Sequence, residues 1–122
     1  MESILTSIKK LLGITEFYEH FDADIIMHIN TVFAILTQMG VGPANGFSII
    51  DKSAKWDEFV SNKIYLEPVK TYVYLKVKLI FDPPLSSSVA EAMKQTINEL
   101  ECRLYLAADT KSLQGEEVTE SE

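Results

Sequence analysis

The side chains that could bind a metal are few and lie in one short stretch of the chain. His20 and His28 are the only imidazoles, and Asp22 and Asp24 lie between them. Imidazole and carboxylate groups are common metal ligands. The two histidines lack the i, i+4 spacing that places two ligands on one helix face, and His28 borders an apolar helix face. The sequence therefore favours structural histidines over a metal site.

Nucleophilic chemistry has equally little support. Cys102 is the single cysteine, and no neighbouring acid or base pattern would activate its thiol. One cysteine also excludes a disulfide framework. The glycines form neither a GxGxxG motif nor a phosphate-binding loop. We predict no catalytic, metal or cofactor site and no enzymatic activity.

Composition indicates one acidic globular domain. The chain has 122 residues, with 11 Lys and Arg against 18 Asp and Glu, for a net charge of −7. A typical DNA or RNA reader needs a basic surface, which this charge does not provide. The longest apolar stretch, residues 71–81, contains Lys76 and Lys78 and is shorter than the ~20 residues of a membrane span. We expect no membrane contact and an intracellular location.

The first half of the chain predicts two helices and a long loop. Residues 3–12 and residues 22–39 both carry apolar side chains at helical spacing. Asp22 is the expected N-cap of the second helix. Residues 41–51 contain turn dipeptides and form the predicted loop. Residues 53–60 predict one or two helical turns, in which Trp56 packs the loop onto the core.

Residues 66–81 have an ambiguous pattern. Residues 75–79 alternate like a strand, but the segment is much longer than the usual 5–6 strand residues. Pro68 suits the first turn of a helix. We predict a helix, with a strand as the alternative. Because such a helix is apolar on nearly all sides, it should be covered on one face by its own core and on another by a neighbour.

Residues 89–108 predict the last helix, preceded by a capping box from Ser88 to Glu91. Its core stripe comprises Val89, Met93, Ile97, Leu100, Leu104 and Ala107. The side chains predicted to face solvent instead are Cys102, Tyr105 and Leu106. Residues 109–122 carry a net charge of −4 and few apolar side chains, which is typical of disorder. The prediction is an all-α, antiparallel bundle of four to five helices over residues 1–108, followed by a disordered acidic tail over residues 109–122.

The predicted bundle has more apolar surface than one small core requires. Contiguous exposed apolar patches usually mark partner surfaces. Tyr72 and Tyr74, which are large and have a polar tip, suit such an interface. If the other helices of the same chain bury residues 66–81, this surplus does not exist.

Several segments together resemble a known family. These are KTYVYLKVKLIFDPP at residues 70–84, ILTSIKKLLGI at 4–14, DIIMHIN at 24–30 leading to GVGP at 40–43, and LECRL at 100–104. In this order they resemble the small head–tail connector proteins of long-tailed bacteriophages, also called adaptor or head-completion proteins. The resemblance covers about residues 2–108 and leaves the acidic tail outside.

The resemblance implies a structural virion protein at the head–tail junction. Such a protomer assembles in the host cytoplasm as a ring beneath the portal protein, and it can be monomeric before that. The ring extends the DNA channel, links capsid to tail and offers a platform to the next stopper or tail connector protein. Double-stranded DNA passes through without sequence-specific binding, which an acidic lumen favours.

The resemblance also suggests site residues. The fourth and fifth helices are expected to form much of the ring contact. The residues named for this interface lie on the fourth helix and are Tyr72, Tyr74, Lys76, Lys78 and Phe81. The expected portal-docking residues are Cys102, Tyr105 and Leu106, continuing into the tail.

Two other classes of function remain. The chain could be a cytosolic acidic helical module that binds and regulates a protein partner, in which case it would form one-to-one or dimeric complexes instead of closed rings. The other class is a small metal-dependent hydrolase that uses His20, His28 and the nearby aspartates. Loss of thermal stability on chelation would identify it.

Overall fold

The computed structural model describes the backbone of residues 2–121 and the side chains of residues 2–109. It contains the helices α1 (Ile4–Leu11), α2 (Asp22–Gln38), α3 (Trp56–Phe59), α4 (Lys63–Phe81) and α5 (Ser87–Ser121). The only β-type pairing in this part of the chain is one isolated antiparallel bridge between Ser3 and Lys55. The predicted all-α class is confirmed.

Helix α4 lies at the centre of the bundle. It packs against α2 on one flank and against α5 on the other, while α1 packs against α2 and α4. Phe21, at the start of α2, contacts Phe81 at the end of α4, with ring centroids 5.3 Å apart. Ile80, near the end of α4, lines the same groove as Lys94 near the start of α5. Both neighbours of α4 therefore run antiparallel to it, as predicted.

The helical prediction for residues 66–81 is confirmed, but α4 begins earlier than expected. Asn62 caps it, because the Asn62 side chain accepts a hydrogen bond of 3.0 Å from the Ile64 N–H. Pro68 consequently lies inside the helix and not in its first turn. A proline has no N–H to donate to the carbonyl four residues before it, here that of Ile64.

The position of α4 corrects the prediction that another molecule must cover one of its faces. The side chains of Val69, Tyr72, Val73 and Val77 are buried within the single chain. A helix that is apolar on several sides can be covered by its own bundle when it is the central layer. Little apolar surface of α4 remains for a partner, with Ile64 and Ile80 as the exposed exceptions.

Two predicted helix starts are also corrected. Asp22 is the first residue of α2 and not its N-cap, which is Phe21. At α5 the Ser86 hydroxyl accepts a 3.4 Å hydrogen bond from the Val89 N–H. The helix therefore starts at Ser87, and Ser88 does not act as the cap.

The C-terminal end of α5 differs from the sequence expectation. The backbone of α5 continues to Ser121, past the predicted end at residue 108. The side chains of residues 110–122 lie outside the described residues. The acidic disordered tail and the domain boundary at residue 109 therefore stay predictions.

The loop after α2 is fastened by buried polar contacts. The Asn30 side chain donates from Nδ2 to the Ile49 carbonyl at 2.9 Å and accepts from the Ile49 N–H at 2.8 Å. Trp56 is fully buried, as predicted for a packing anchor, and its Nε1–H donates to Ser7 Oγ at 2.8 Å. Gly42, at φ +86°, lies so close to the Phe59 ring that a Cβ there would overlap it. These contacts hold the loop onto α1 and α2.

A buried lysine holds the connection between α1 and α2. Lys9 is only 2% exposed, and its ammonium group donates to the Glu16 carbonyl at 3.0 Å. The ammonium nitrogen also lies 2.8 Å from Asp22 Oδ1, and the two opposite charges form an ion pair. A buried charge needs such partners because its desolvation is costly. Lys9 therefore fixes the course of the chain from α1 to α2.

Replacing Asn30 tests how the long loop is held. In Asn30→Asp, the carboxylate can still accept from the Ile49 N–H but cannot donate to the Ile49 carbonyl. We expect the free energy of unfolding to fall by about 2 kcal/mol. Urea denaturation followed by circular dichroism measures this change. Asn45→Asp, an exposed change in the same loop, should shift it by less than about 0.5 kcal/mol. Equal effects of the two substitutions would contradict the assigned role of Asn30.

Replacing Asp22 tests the buried ion pair. Asp22→Asn removes the negative charge beside the buried Lys9 ammonium group and leaves it only neutral acceptors, the amide oxygen and the Glu16 carbonyl. Because Asp22 is itself 26% exposed, we expect a loss of about 2–3 kcal/mol, below the full cost of breaking a buried pair. Thermal and urea unfolding give the value. The control Asp24→Asn changes an exposed carboxylate on the same turn, and a comparable loss in this variant would refute the assignment.

Candidate assembly surfaces

An open apolar groove lies between the C-terminal half of α2 and α5. We call it the α2/α5 groove; its volume is about 450 Å³. Its lining residues are Ile35, Gln38, Met39, Glu101, Cys102, Tyr105 and Leu106. It forms because α2 and α5 both pack on α4 and barely contact each other.

The α2/α5 groove brings together the three residues predicted to dock a partner. Cys102, Tyr105 and Leu106 have i, i+3 and i+4 spacing, so they share one face of α5. Tyr105 and Leu106 are each 59% exposed, and Cys102 is exposed as well. Their predicted orientation towards solvent is confirmed, whereas their binding role stays a prediction.

Sequence reasoning missed the opposite wall of this groove. Ile35 of α2 and Met39, the residue that follows the helix, are half-buried and lie one helical turn apart. Their i, i+4 spacing is visible in the sequence. Helical periodicity shows which residues share a helix face, but it does not show how much of that face is exposed to solvent.

Tyr72, predicted for a ring interface, lies in the core. It is fully buried, and its hydroxyl donates a 2.7 Å hydrogen bond to Glu101 Oε2 on α5. Burial raises the pKa of Tyr72 well above its usual range, and the hydrogen bond to the Glu101 carboxylate raises it further. Tyr72 therefore joins α4 to α5 and is unavailable to another molecule, which corrects the prediction.

The other four predicted ring residues are not brought together. Tyr74 is half-buried against the core. Lys78 pairs with Asp82 one turn along α4, at 2.7 Å. Phe81 packs edge-on against Phe21 beside α2. Lys76 lies on the side of α4 that packs against α5.

Lys76 borders a second groove, of about 340 Å³, between α4 and α5. We call it the α4/α5 groove. It is lined by Lys76, Leu79, Ile80, Lys94, Ile97, Asn98 and Glu101. The Lys76 ammonium group lies 6.0 Å from the centroid of the Tyr72 ring and forms no ion pair with any side chain of residues 2–109. Lys94 is 3.6 Å from Glu91. The groove is therefore lined by three apolar side chains, two lysines, the Asn98 amide and the Glu101 carboxylate.

A third exposed feature was not anticipated from the sequence. The α1–α2 loop, residues 12–21, presents Phe17 at 84% exposure and Tyr18 at 50%. Glu16 and Glu19 flank these rings and are exposed. The sequence does show two aromatic residues between two glutamates. The stretch has neither helical nor strand periodicity, so the sequence did not indicate whether these rings are buried or exposed. The loop is an acidic, aromatic projection.

The histidines have structural surroundings. His20 packs edge-on against Phe21, with ring centroids 4.8 Å apart, and His28 lies 6.5 Å from the Phe81 ring. No group of three His, Cys, Asp or Glu side chains suited to a metal ion occurs among the described residues.

In the same part of the chain, none of the helices combines the length and hydropathy needed to cross a membrane.

Comparison with known proteins gives one clear result. The family model described as phage connector protein matches residues 4–111, which include α1 to α4 and most of α5. Neither the curated proteins nor the solved structures gave a significant match. A match over this much of the chain assigns the family, and it agrees with the resemblance of residues 2–108. The chain belongs to the phage connector protein family.

Proposed function

We propose that this protein is a head–tail connector that assembles as a ring beneath the phage portal, extends the DNA channel and links the capsid to the tail. The observation that carries the proposal is the family match over residues 4–111. A phage connector protein is a structural component of the virion and contacts other virion proteins. Assembly in the host cytoplasm before incorporation at the head–tail junction is part of the same proposal.

The α2/α5 groove supports a docking role towards the portal protein. It is open and mostly apolar, and it exposes Tyr105 and Leu106. Two helices that flank an apolar groove can accept a third, amphipathic helix with spaced anchor residues. We assign this groove to the portal, and the outer faces of the ring to the downstream stopper or tail connector protein.

The charge of the chain supports passage of DNA without binding. The net charge is −7, so copies arranged in a ring would present acidic surface to phosphates. Phosphate binding by proteins depends on cationic side chains that displace counterions. An acidic channel repels DNA and lets it slide.

Native mass spectrometry tests the proposed assembly. We expect the isolated chain to be a monomer, because α4 is already buried within one molecule. Addition of the portal protein of the same phage should yield a species that carries a closed ring of chains. A one-to-one or dimeric complex would instead support the acidic regulatory module. Absence of any portal-bound species would contradict the connector.

Charged substitutions test the α2/α5 groove. Tyr105→Asp combined with Leu106→Asp places two carboxylates on the groove wall, where a partner would have to desolvate them. We expect at least a tenfold loss in portal binding, measured by surface plasmon resonance, with little change in the melting temperature because both side chains are exposed.

The control is Val89→Asp on the same helix; Val89 was predicted in the core stripe, but it is 49% exposed and lies outside the groove. It should bind the portal as the unchanged chain does. Unchanged portal binding by the Tyr105→Asp, Leu106→Asp variant would remove the groove from the docking site.

A further inference from the structure

We propose that neighbouring copies in the ring meet through two different surfaces: the α1–α2 loop of one copy inserts Phe17 into the α4/α5 groove of the next. This rests on the proposed ring and specifies its contact. A contact that closes into a ring is heterologous, so each chain must carry two distinct, complementary surfaces. The loop is a projection and the groove is concave, which meets this requirement.

The apolar parts of the two surfaces are complementary. The Phe17 side chain is 84% exposed, whereas phenylalanine side chains in folded domains are usually buried. The floor of the groove is formed by Leu79, Ile80 and Ile97, of which Ile80 is 53% exposed. Insertion of the ring would remove both exposed apolar surfaces from water.

The charges are complementary as well. Glu16 and Glu19 lie on either side of Phe17 and Tyr18, and residues 14–21 contain no Lys or Arg. Lys76 and Lys94 line the groove together with the Glu101 carboxylate, which accepts the hydrogen bond from Tyr72. Lys94 is paired with Glu91 at 3.6 Å, whereas Lys76 has no ion-pair partner in the described part of the chain and is the cation left for a neighbouring carboxylate. Opposite charges around an apolar contact fix its register and disfavour wrong partners.

The loop is held in shape before contact. Lys9 donates from its buried ammonium group to the Glu16 carbonyl at 3.0 Å, and the Tyr18 N–H donates to the Thr15 carbonyl at 3.1 Å. A loop fixed in this way loses less conformational entropy on binding than a mobile one. The buried lysine thus supports the conformation that presents Phe17.

The two surfaces are also placed as a ring contact requires. The α1–α2 loop adjoins α1 and α2, whereas the groove lies beyond α4 on the α5 flank. Phe21, at the end of the loop, contacts Phe81, the neighbour of Ile80, whereas Phe17 lines a cavity with Glu2 and Thr6. The loop and the groove therefore share no lining residue and are separate surfaces of the chain.

Charge reversal with mixing tests the contact. The loop variant carries Glu16→Lys and Glu19→Lys, and the groove variant carries Lys76→Glu and Lys94→Glu. Each variant alone should lose the portal-bound ring in native mass spectrometry, because like charges meet at every contact. An equal mixture should restore it as an alternating ring, since each loop then meets a groove of opposite charge. A folding defect could not be rescued by mixing.

Two controls accompany this experiment. Lys55→Glu with Lys63→Glu makes the same change in net charge as the groove variant, away from both surfaces, and should assemble normally. Phe17→Ser should lose the ring, whereas Ile64→Ser, at a comparably exposed apolar position near the start of α4, should keep it. If circular dichroism shows that the charge variants are unfolded, the comparison of Phe17→Ser with Ile64→Ser tests the contact instead.

The outcomes separate this contact from the proposed function. Rings formed by each charge variant alone, or by Phe17→Ser, would overturn the contact while the connector function stands. Loss in each variant without restoration on mixing would also overturn it. Failure of the unchanged chain to form any ring with the portal would overturn the proposed function, and the contact with it.

Discussion

The packing of α4 between α2 and α5 is the interaction on which the rest of the molecule depends. The buried side chains of α4 contribute to one core shared with α1 and α2, and the Tyr72 hydroxyl adds a hydrogen bond to Glu101 on α5. If either flank were lost, this apolar helix would be left facing water, at a cost proportional to the exposed area. The single chain is therefore a complete bundle without a partner.

This arrangement determines where the chain can still bind other proteins. Since α2 and α5 both pack on α4 with little contact between them, they leave an open apolar groove, and α5 forms a second groove with α4. α5 contributes to both, and much of its surface is exposed because it packs mainly on one neighbour. A chain that buries most of α4 by itself and carries two shallow grooves is consistent with the proposed assembly on a larger complex.

The sequence predicted the elements better than their environment. Helical periodicity located α2 and α5, and the length of residues 66–81 correctly favoured a helix over a strand. Periodicity also oriented Cys102, Tyr105 and Leu106 towards solvent. It could not show that the same chain covers both sides of α4. A helix with several apolar faces has the same sequence pattern whether it packs against α5 or against another molecule. Tyr72 was placed at an interface for that reason.

Other features depend on atoms that a sequence does not display. Lysines are mostly exposed, so the burial of Lys9 was unexpected, and one of its two partners is the backbone carbonyl of Glu16. Asn30 likewise binds the backbone of Ile49 and not a side chain. The exposed aromatic residues of the α1–α2 loop have no period to interpret. These contacts became visible only when distant segments were brought together in the fold.

The buried face of α4, from Val69 to Val77, is packed within the isolated chain, and the proposed assembly uses the outer surfaces of the bundle. Hydrogen–deuterium exchange of the chain alone and of the chain bound to its portal distinguishes this from packing completed by a partner. We predict that the α4 amides between Val69 and Val77 are the most slowly exchanging in both states, while new protection appears at residues 101–106. Rapid exchange of α4 in the isolated chain, with protection gained only on binding, would contradict it.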